Sequence, residues 1–357
     1  MMAVFTSVVY CYVACASGSP EKEALHVLQC DTQTGAVKLI QSVNGYQGTT
    51  YFQLGGDCLY TAYSEIREGK KRSRAVAFPL GGDGKLGVAR LLAELPCEAP
   101  CHVALSPDGS HLAFAAYSSA AVGMFPLRAG AVRSAILPNE GMGNFPGRQA
   151  KAYAHFAFFT RDGSRFGAVD LGCDRVHFFD SATMERDAKM EVRADCGDGP
   201  RHCVWSKDGR FLFVLNELSN SVLSFAFENG GFKRIGKWPT LPKGFEGASK
   251  AAAIKLSADG KILMASNRGC DSIAFFEVDV ERGMLARRNV AMLKGRFPRD
   301  FELMPGEKFM VVGHKLDNEI QVYRFDRAAC TLESVGAPLK AWKPLCFKFA
   351  KDRVLQH

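Results

Sequence analysis

Arg201, Glu217, Arg268, His155 and Arg299 stand at fixed distances from a recurring turn motif, and together they make a chemical set. Histidine and glutamate can take a proton from water. Arginine grips a carboxylate or phosphate with a planar fork, stabilises an oxyanion and keeps its charge. The motif is Ser/Thr-x-Asp-Gly, starting at Ser106, Thr160, Ser206 and Ser257, with weaker copies starting at Leu54, Met304 and Ala350. Five residues before the last six motif starts stand Cys101, His155, Arg201, Ala252, Arg299 and Leu345. Eleven residues after the first six stand Glu65, Tyr117, Leu171, Glu217, Arg268 and Lys315. Ten after them stand Ser64, Ala116, Asp170, Asn216, Asn267 and His314. Charged and polar groups therefore fall at equivalent places in different repeats.

The spacings between motif starts are 52, 54, 46, 51, 47 and 46 residues. A period in this range marks a repeat architecture. Each motif lies between two apolar, β-rich runs, such as His102–Leu105 and Leu112–Tyr117, and Asp-Gly supplies the positive φ that a hairpin turn needs. A third run follows in most repeats (Val122–Phe125, Val176–Phe179, Val222–Phe225, Ile273–Phe276, Ile320–Tyr323). A fourth, weaker strand fits the remainder. Four antiparallel strands per repeat make one propeller blade. The reading is all-β: a seven-bladed β-propeller forming one domain over residues 1–357, closed by N- and C-terminal strands in one blade. The C-terminus is expected to end after an inner hairpin, with Ala3–Tyr10 completing that blade.

This architecture explains the convergence. In a hairpin, the start of the first strand and the end of the second lie at the same sheet end. The innermost strands line the central channel. The offset residues of all blades therefore ring one mouth of that channel. Polar residues are common in loops in any case, so the equivalence between blades carries the argument rather than any one residue.

Apolar residues at 47% allow a sizeable core, and the formal net charge of +8 is mild for 357 residues. No basic cluster is interleaved with aromatics, so the charge suits an anionic small molecule better than nucleic acid. The twelve cysteines show no zinc-knuckle spacing, and most sit in apolar runs, where a thiol behaves as a small hydrophobe. Unpaired thiols suit a reducing cytoplasm. Ala3–Ala16 lacks the basic flank of a signal peptide and reads as strand. No apolar stretch reaches transmembrane length. A ring closed by its own termini needs no partner, so a monomer is expected.

The residues at the mouth also carry a family resemblance. Gly199-Pro-Arg-His202 followed by Asn216-Glu-Leu-Ser-Asn-Ser-Val222, Ser266-Asn-Arg268 with Asp271-Ser-Ile273, Pro298-Arg-Asp-Phe301, Pro100-Cys-His102 and Arg148–His155 together resemble the lactonase family of seven-bladed propellers. That family includes propeller-type 6-phosphogluconolactonase and the fungal carboxy-cis,cis-muconate lactonizing enzyme. The resemblance covers nearly the whole chain. It implies that His155, Arg201, Glu217 and Arg268 form the catalytic site. No cofactor is expected. Tyr153 stands where the family commonly has a second histidine, and Gly313-His314 where many members carry Ala-Asn.

Opening a lactone needs a base-activated water and a stabilised tetrahedral oxyanion. Glu217 or His155 can serve as the base. A glutamate beside two arginines has a lowered pKa, which favours His155 as base, with Glu217 orienting water or an arginine. Arg201 and Arg268 would hold an anionic group or the oxyanion. Arg299, Asp170, Asn216, Asn267, His314 and Lys315 are candidate substrate-binding residues. The opposite strand parity of His202 to Arg201 suggests a packing or hydrogen-bonded core role for His202. The leading expectation is hydrolysis of 6-phospho-D-glucono-1,5-lactone in carbohydrate metabolism, specifically the use of glucose. The alternatives are another sugar-acid lactonase, a lactone-forming cycloisomerase, or a non-enzymatic binding platform. A WD-type platform would show Gly-His to Trp-Asp spacings, and none occurs. A calcium-dependent lactonase would draw oxygens from Asp170, Asn216, Asn267 and Glu217, but three nearby arginines would repel the cation. The site is therefore expected to be metal-free.

Overall fold

The computed structural model describes residues 7–350, apart from 68–69, 99 and 129. Seven sheets of four antiparallel strands form a closed ring. Blades 2 to 7 begin with the innermost strands Phe52–Gly55, Pro100–Leu105, Ala154–Phe159, Pro200–Trp205, Lys250–Leu256 and Pro298–Leu303. Blade 1 closes the ring: Pro344–Phe349 is innermost, followed by Val8–Cys15, Glu23–Asp31 and Val37–Asn44. The N-terminus thus supplies three strands of this blade and the C-terminus one, where an inner C-terminal hairpin was expected. Val8–Cys15 is buried throughout, since it pairs with Pro344–Phe349 on one side and Glu23–Asp31 on the other. Ala3–Thr6 and the Lys351-Asp352 part of the last motif lie outside the described residues. Among the described residues no helix is long and apolar enough to cross a membrane.

The recurring motif builds the inner hairpins by one device. Ser106 Oγ donates to Asp108 Oδ1 at 2.6 Å and accepts from the His111 backbone N–H at 2.9 Å. Thr160/Asp162, Ser206/Asp208 and Ser257/Asp259 repeat this bond at 2.6, 2.6 and 2.7 Å. The glycine that follows the aspartate has φ between +69° and +79° in these four turns, a region costly for other residues. The loop is four residues long, because Ser106 N–H bonds the His111 carbonyl. Apolar side chains pack between blades rather than at one centre. Seven clusters fill the seven gaps, among them Phe213, Leu215, Ala265 and Phe276 between blades 5 and 6.

One irregularity positions the site. In blade 5 Pro200 faces Asn216 and His202 faces Leu215, which leaves Arg201 as an extra, bulged residue. The same bulge falls at Cys101, His155 and Arg299, within Ala252–Ala253, and at Leu345. A β-bulge breaks strict alternation and re-aims side chains. Six innermost strands therefore swing the residue five before the motif, and its successor, toward the axis.

Candidate active site

Glu217 directly follows the second strand of blade 5, Phe211–Asn216, and is 2% exposed. Its carboxylate is held by three guanidiniums. Arg201 Nε donates to Oε2 at 3.0 Å, Arg268 Nη2 lies 2.8 Å from Oε2, and Arg148 Nη2 donates to Oε1 at 2.5 Å. Burial alone would raise the Glu217 pKa, but Arg268 and Arg201 outweigh it and hold the carboxyl far below its usual range. Arg201 Nη1 donates to His202 Nε2 at 3.0 Å and to the Ala252 carbonyl. Arg268 donates from Nε to the Lys250 carbonyl at 3.1 Å and from Nη2 to the Ala251 carbonyl at 2.8 Å. Arg201 Nη2 and Arg268 Nη1 hydrogen-bond no described residue and remain free as donors.

His155, bulged from the innermost strand of blade 4, is 8% exposed. Neither ring nitrogen hydrogen-bonds a described residue, and Nδ1 is fully buried. Burial, with Arg201 and Arg299 adding to it, pushes its pKa well below the ordinary histidine value, so the ring is neutral at pH 7. Tyr117 meets it edge-on at 5.6 Å and stacks on Tyr153 at 4.6 Å. Arg148 Nη2 also reaches the Tyr117 hydroxyl at 3.5 Å.

Below this layer the channel is stoppered by rings. His202 lies 6.1 Å from Tyr51 and 5.9 Å from His102, residues of blades 2 and 3, so these contacts cross the axis. Phe156 completes the stopper, 4.6 Å from His202 and 3.9 Å from His102. The parity argument for His202 assumed a regular strand. The bulge puts Arg201 and His202 on one side, and His202 packs in the stopper while receiving the Arg201 bond. Beyond it a separate cavity of about 400 Å³ opens at the opposite mouth, lined by Trp205, Lys255, Glu302 and Lys348 among others.

The structure gathers His155, Arg201, Glu217 and Arg268, with Arg299 and Lys315 beside them. Burial, then Arg268, lowers the Arg299 pKa to about 10. Burial, then Arg299 and Lys343, lowers the Lys315 pKa to about 8. The residues ten after the motif do different work. Asp170 Oδ1 accepts the backbone N–H groups of Tyr153, Gly172 and Cys173 at 2.8, 2.8 and 3.2 Å. Asn216 Nδ2 donates to Ser221 at 2.9 Å, and Asn267 bonds Thr240 and Ser272. His314 Nε2 meets the Tyr323 hydroxyl at 3.0 Å. All four are fully buried and their bonds run to blade edges and loops. Neighbouring strand residues point to opposite faces, so the channel takes the eleventh residue and the blade interior takes the tenth. Glu65 pairs with Arg74 at 2.7 Å in blade 2.

Several residues of the mouth escaped the three offsets. Tyr153, Lys250, Phe297 and Lys343 all stand seven before a motif start, a fourth set that the same counting would have found. Arg148 sits in the long segment between Arg133–Ile136 and Ala154–Phe159, outside any period. Phe297 holds φ +64° and lies under two cations, 5.3 Å from Arg268 and 5.6 Å from Lys315. Its equivalent in blade 5 is Gly199, at φ +61°.

Comparison with known proteins agrees with this geometry. The family described as "Lactonase, 7-bladed beta-propeller" matches residues 10–349. The chain belongs to the lactonase family. It is 30% identical over 257 residues to a 6-phosphogluconolactonase of Bacillus subtilis, covering 70% of this chain and 73% of that protein. A periplasmic gluconolactonase of Pseudomonas aeruginosa superposes with a TM-score of 0.84 at 26% identity, covering 96% of this lactonase-family chain and 99% of that one. A putative 6-phosphogluconolactonase of Bacteroides fragilis gives 0.83 at 25% identity, covering 98% and 100%.

Proposed function

We propose that this lactonase-family propeller hydrolyses 6-phospho-D-glucono-1,5-lactone to 6-phosphogluconate, as a step of carbohydrate metabolism. The observation that carries the reading is the pairing of a neutral, unbonded His155 with arginines whose outer nitrogens are free. Water loses a proton to His155 as its oxygen bonds the lactone carbonyl carbon. The oxyanion that forms receives N–H donation from Arg201 Nη2 and Arg268 Nη1. Collapse breaks the ring C–O bond, and the imidazolium returns its proton to the departing ring oxygen. Glu217 is a positioning residue here, since a carboxylate held by three guanidiniums is a poor proton acceptor. The field of the arginines weakens His155 as a base, and an anionic substrate offsets that field when it binds.

The similar 6-phosphogluconolactonase of Bacillus subtilis and the gluconolactonase of Pseudomonas aeruginosa support a sugar-acid lactone. The surplus of cations supports a phosphorylated one. Lactone formation by a cycloisomerase needs proton delivery to carbon. A histidine held neutral suits proton removal from water better, which favours hydrolysis over that alternative. Twelve cysteines without a disulfide support a reducing, cytoplasmic setting. The test is proton release from freshly prepared 6-phosphogluconolactone against its spontaneous rate. Acceleration by the wild type, inhibited by 6-phosphogluconate, supports the reading. A folded wild type that adds nothing to the spontaneous rate refutes it.

A further inference from the structure

Blades 5 and 7 use one scaffold with opposite charge. In blade 5, Pro200 pairs with Asn216, Arg201 is bulged, and Glu217 follows Asn216. In blade 7, Pro298 pairs with His314, Arg299 is bulged, and Lys315 follows His314. The backbone tie is also shared: Glu217 N–H bonds the Gly199 carbonyl at 2.7 Å, and Lys315 N–H bonds the Phe297 carbonyl at 3.2 Å. The position that neutralises Arg201 in blade 5 thus carries a second cation beside Arg299. Lys343 continues the arc from blade 1, where its backbone is tied to Asn318 Oδ1 at 3.2 Å, just past Lys315. None of the three cationic groups makes a hydrogen bond or ion pair with a described residue. Their contacts are with rings: Lys315 over Phe297 at 5.6 Å and Lys343 over Trp342 at 4.8 Å.

Glu217 and Asp300 also act on Arg299, but Glu217 is already held by three guanidiniums, and like charges gathered in this way are costly unless an anion completes them. We propose that Arg299, Lys315 and Lys343 form the receptor for the phosphate group of the substrate, beside the Arg201–Glu217–Arg268 group that works on the lactone ring. A phosphate monoester carries close to two negative charges and three acceptor oxygens, which match one guanidinium fork and two ammonium groups better than a single carboxylate does. The proposal rests on the lactonase reading and assigns the two ends of the substrate to two halves of one mouth.

The experiment compares kcat/KM for 6-phosphogluconolactone and unphosphorylated glucono-1,5-lactone in the wild type, Lys315→Met, Lys343→Met and Lys315→Arg. The preference for the phosphorylated lactone should fall about tenfold or more in each methionine variant, mainly through KM, and recover in Lys315→Arg. A preference unchanged in both methionine variants overturns the proposal, as does a loss confined to kcat. Inorganic phosphate titrated calorimetrically reads the receptor without turnover. Wild-type binding weakened in both methionine variants supports the receptor even if neither lactone is hydrolysed. Absence of phosphate binding, or acetate bound as tightly as phosphate, overturns it while leaving the lactonase reading intact.

Discussion

Replacing Glu217 with glutamine removes one negative charge from a site that holds three guanidiniums. Glutamine keeps the shape and one acceptor oxygen, but its amide N–H groups face arginine N–H groups. Breaking a buried ion pair from one side costs about 3–5 kcal/mol, because the remaining charge is left uncompensated. Arg148 is only partly buried, at 27% exposure of its side chain, which draws the cost toward the lower end. Unfolding entropy of about 2.1 cal/mol/K per residue gives about 0.75 kcal/mol/K for 357 residues. The melting temperature of Glu217→Gln should therefore fall by about 4–7 °C in a calorimetric or circular-dichroism scan. Phosphate should stabilise the variant more than the wild type, because an anion can take the vacated place. At a hundred times its dissociation constant it would return about 2.7 kcal/mol. The Glu217 pKa is depressed in the fold, so its contribution is complete above the ordinary carboxylate range and is lost as pH falls toward the low folded value. The gap between wild type and variant should accordingly hold near neutrality and close only in strong acid. A melting temperature within about 1 °C of the wild type, with no added response to phosphate, would refute the reasoning.

Other expectations are independent of it. Phosphate affinity should weaken as pH rises through about 8, because the Lys315 ammonium among Arg299, Lys343, Arg268 and Arg201 loses its proton there; a pH series of titrations checks this. Asp170→Asn should cost about 1.5–3 kcal/mol in thermal or denaturant unfolding, because a charged acceptor for three backbone N–H groups is lost. Gly199→Ala should cost at least about 1 kcal/mol by the same assay, since φ is +61° and the new Cβ would stand 2.5 Å from Leu218 Cγ. A thiol reagent under native conditions should react rapidly with about one cysteine per chain, Cys196, the one exposed among the twelve.

The blades were legible because the turn chemistry is local: hydroxyl, aspartate and glycine sit within four residues, and their spacing counts the repeats. The closing blade was less so. Its motif at Ala350 lacks the glycine, and nothing in the run Val8–Cys15 states which neighbour it pairs with. Arg201, Glu217, His155 and Arg268 were legible as equivalent positions. The bulge that aims them was not, because it is a register event between strands and leaves no pattern in either. Asp170, Asn216, Asn267 and His314 were drawn into the candidate set by adjacency, although one residue along a strand reverses the face. Arg148 entered only as the start of the Arg148–His155 stretch, because it lies in a loop where no period applies. Lys250 and Lys343 were visible in principle at a fourth offset.

The most direct measurement is hydrolysis of 6-phosphogluconolactone by wild type and Arg268→Ala side by side, corrected for the spontaneous reaction. The account predicts clear acceleration by the wild type and a loss of about a hundredfold or more in kcat for the variant, as for removal of an oxyanion donor. A variant that is folded and as fast as the wild type would contradict it, since the chemistry would then lie away from the arginine-ringed mouth.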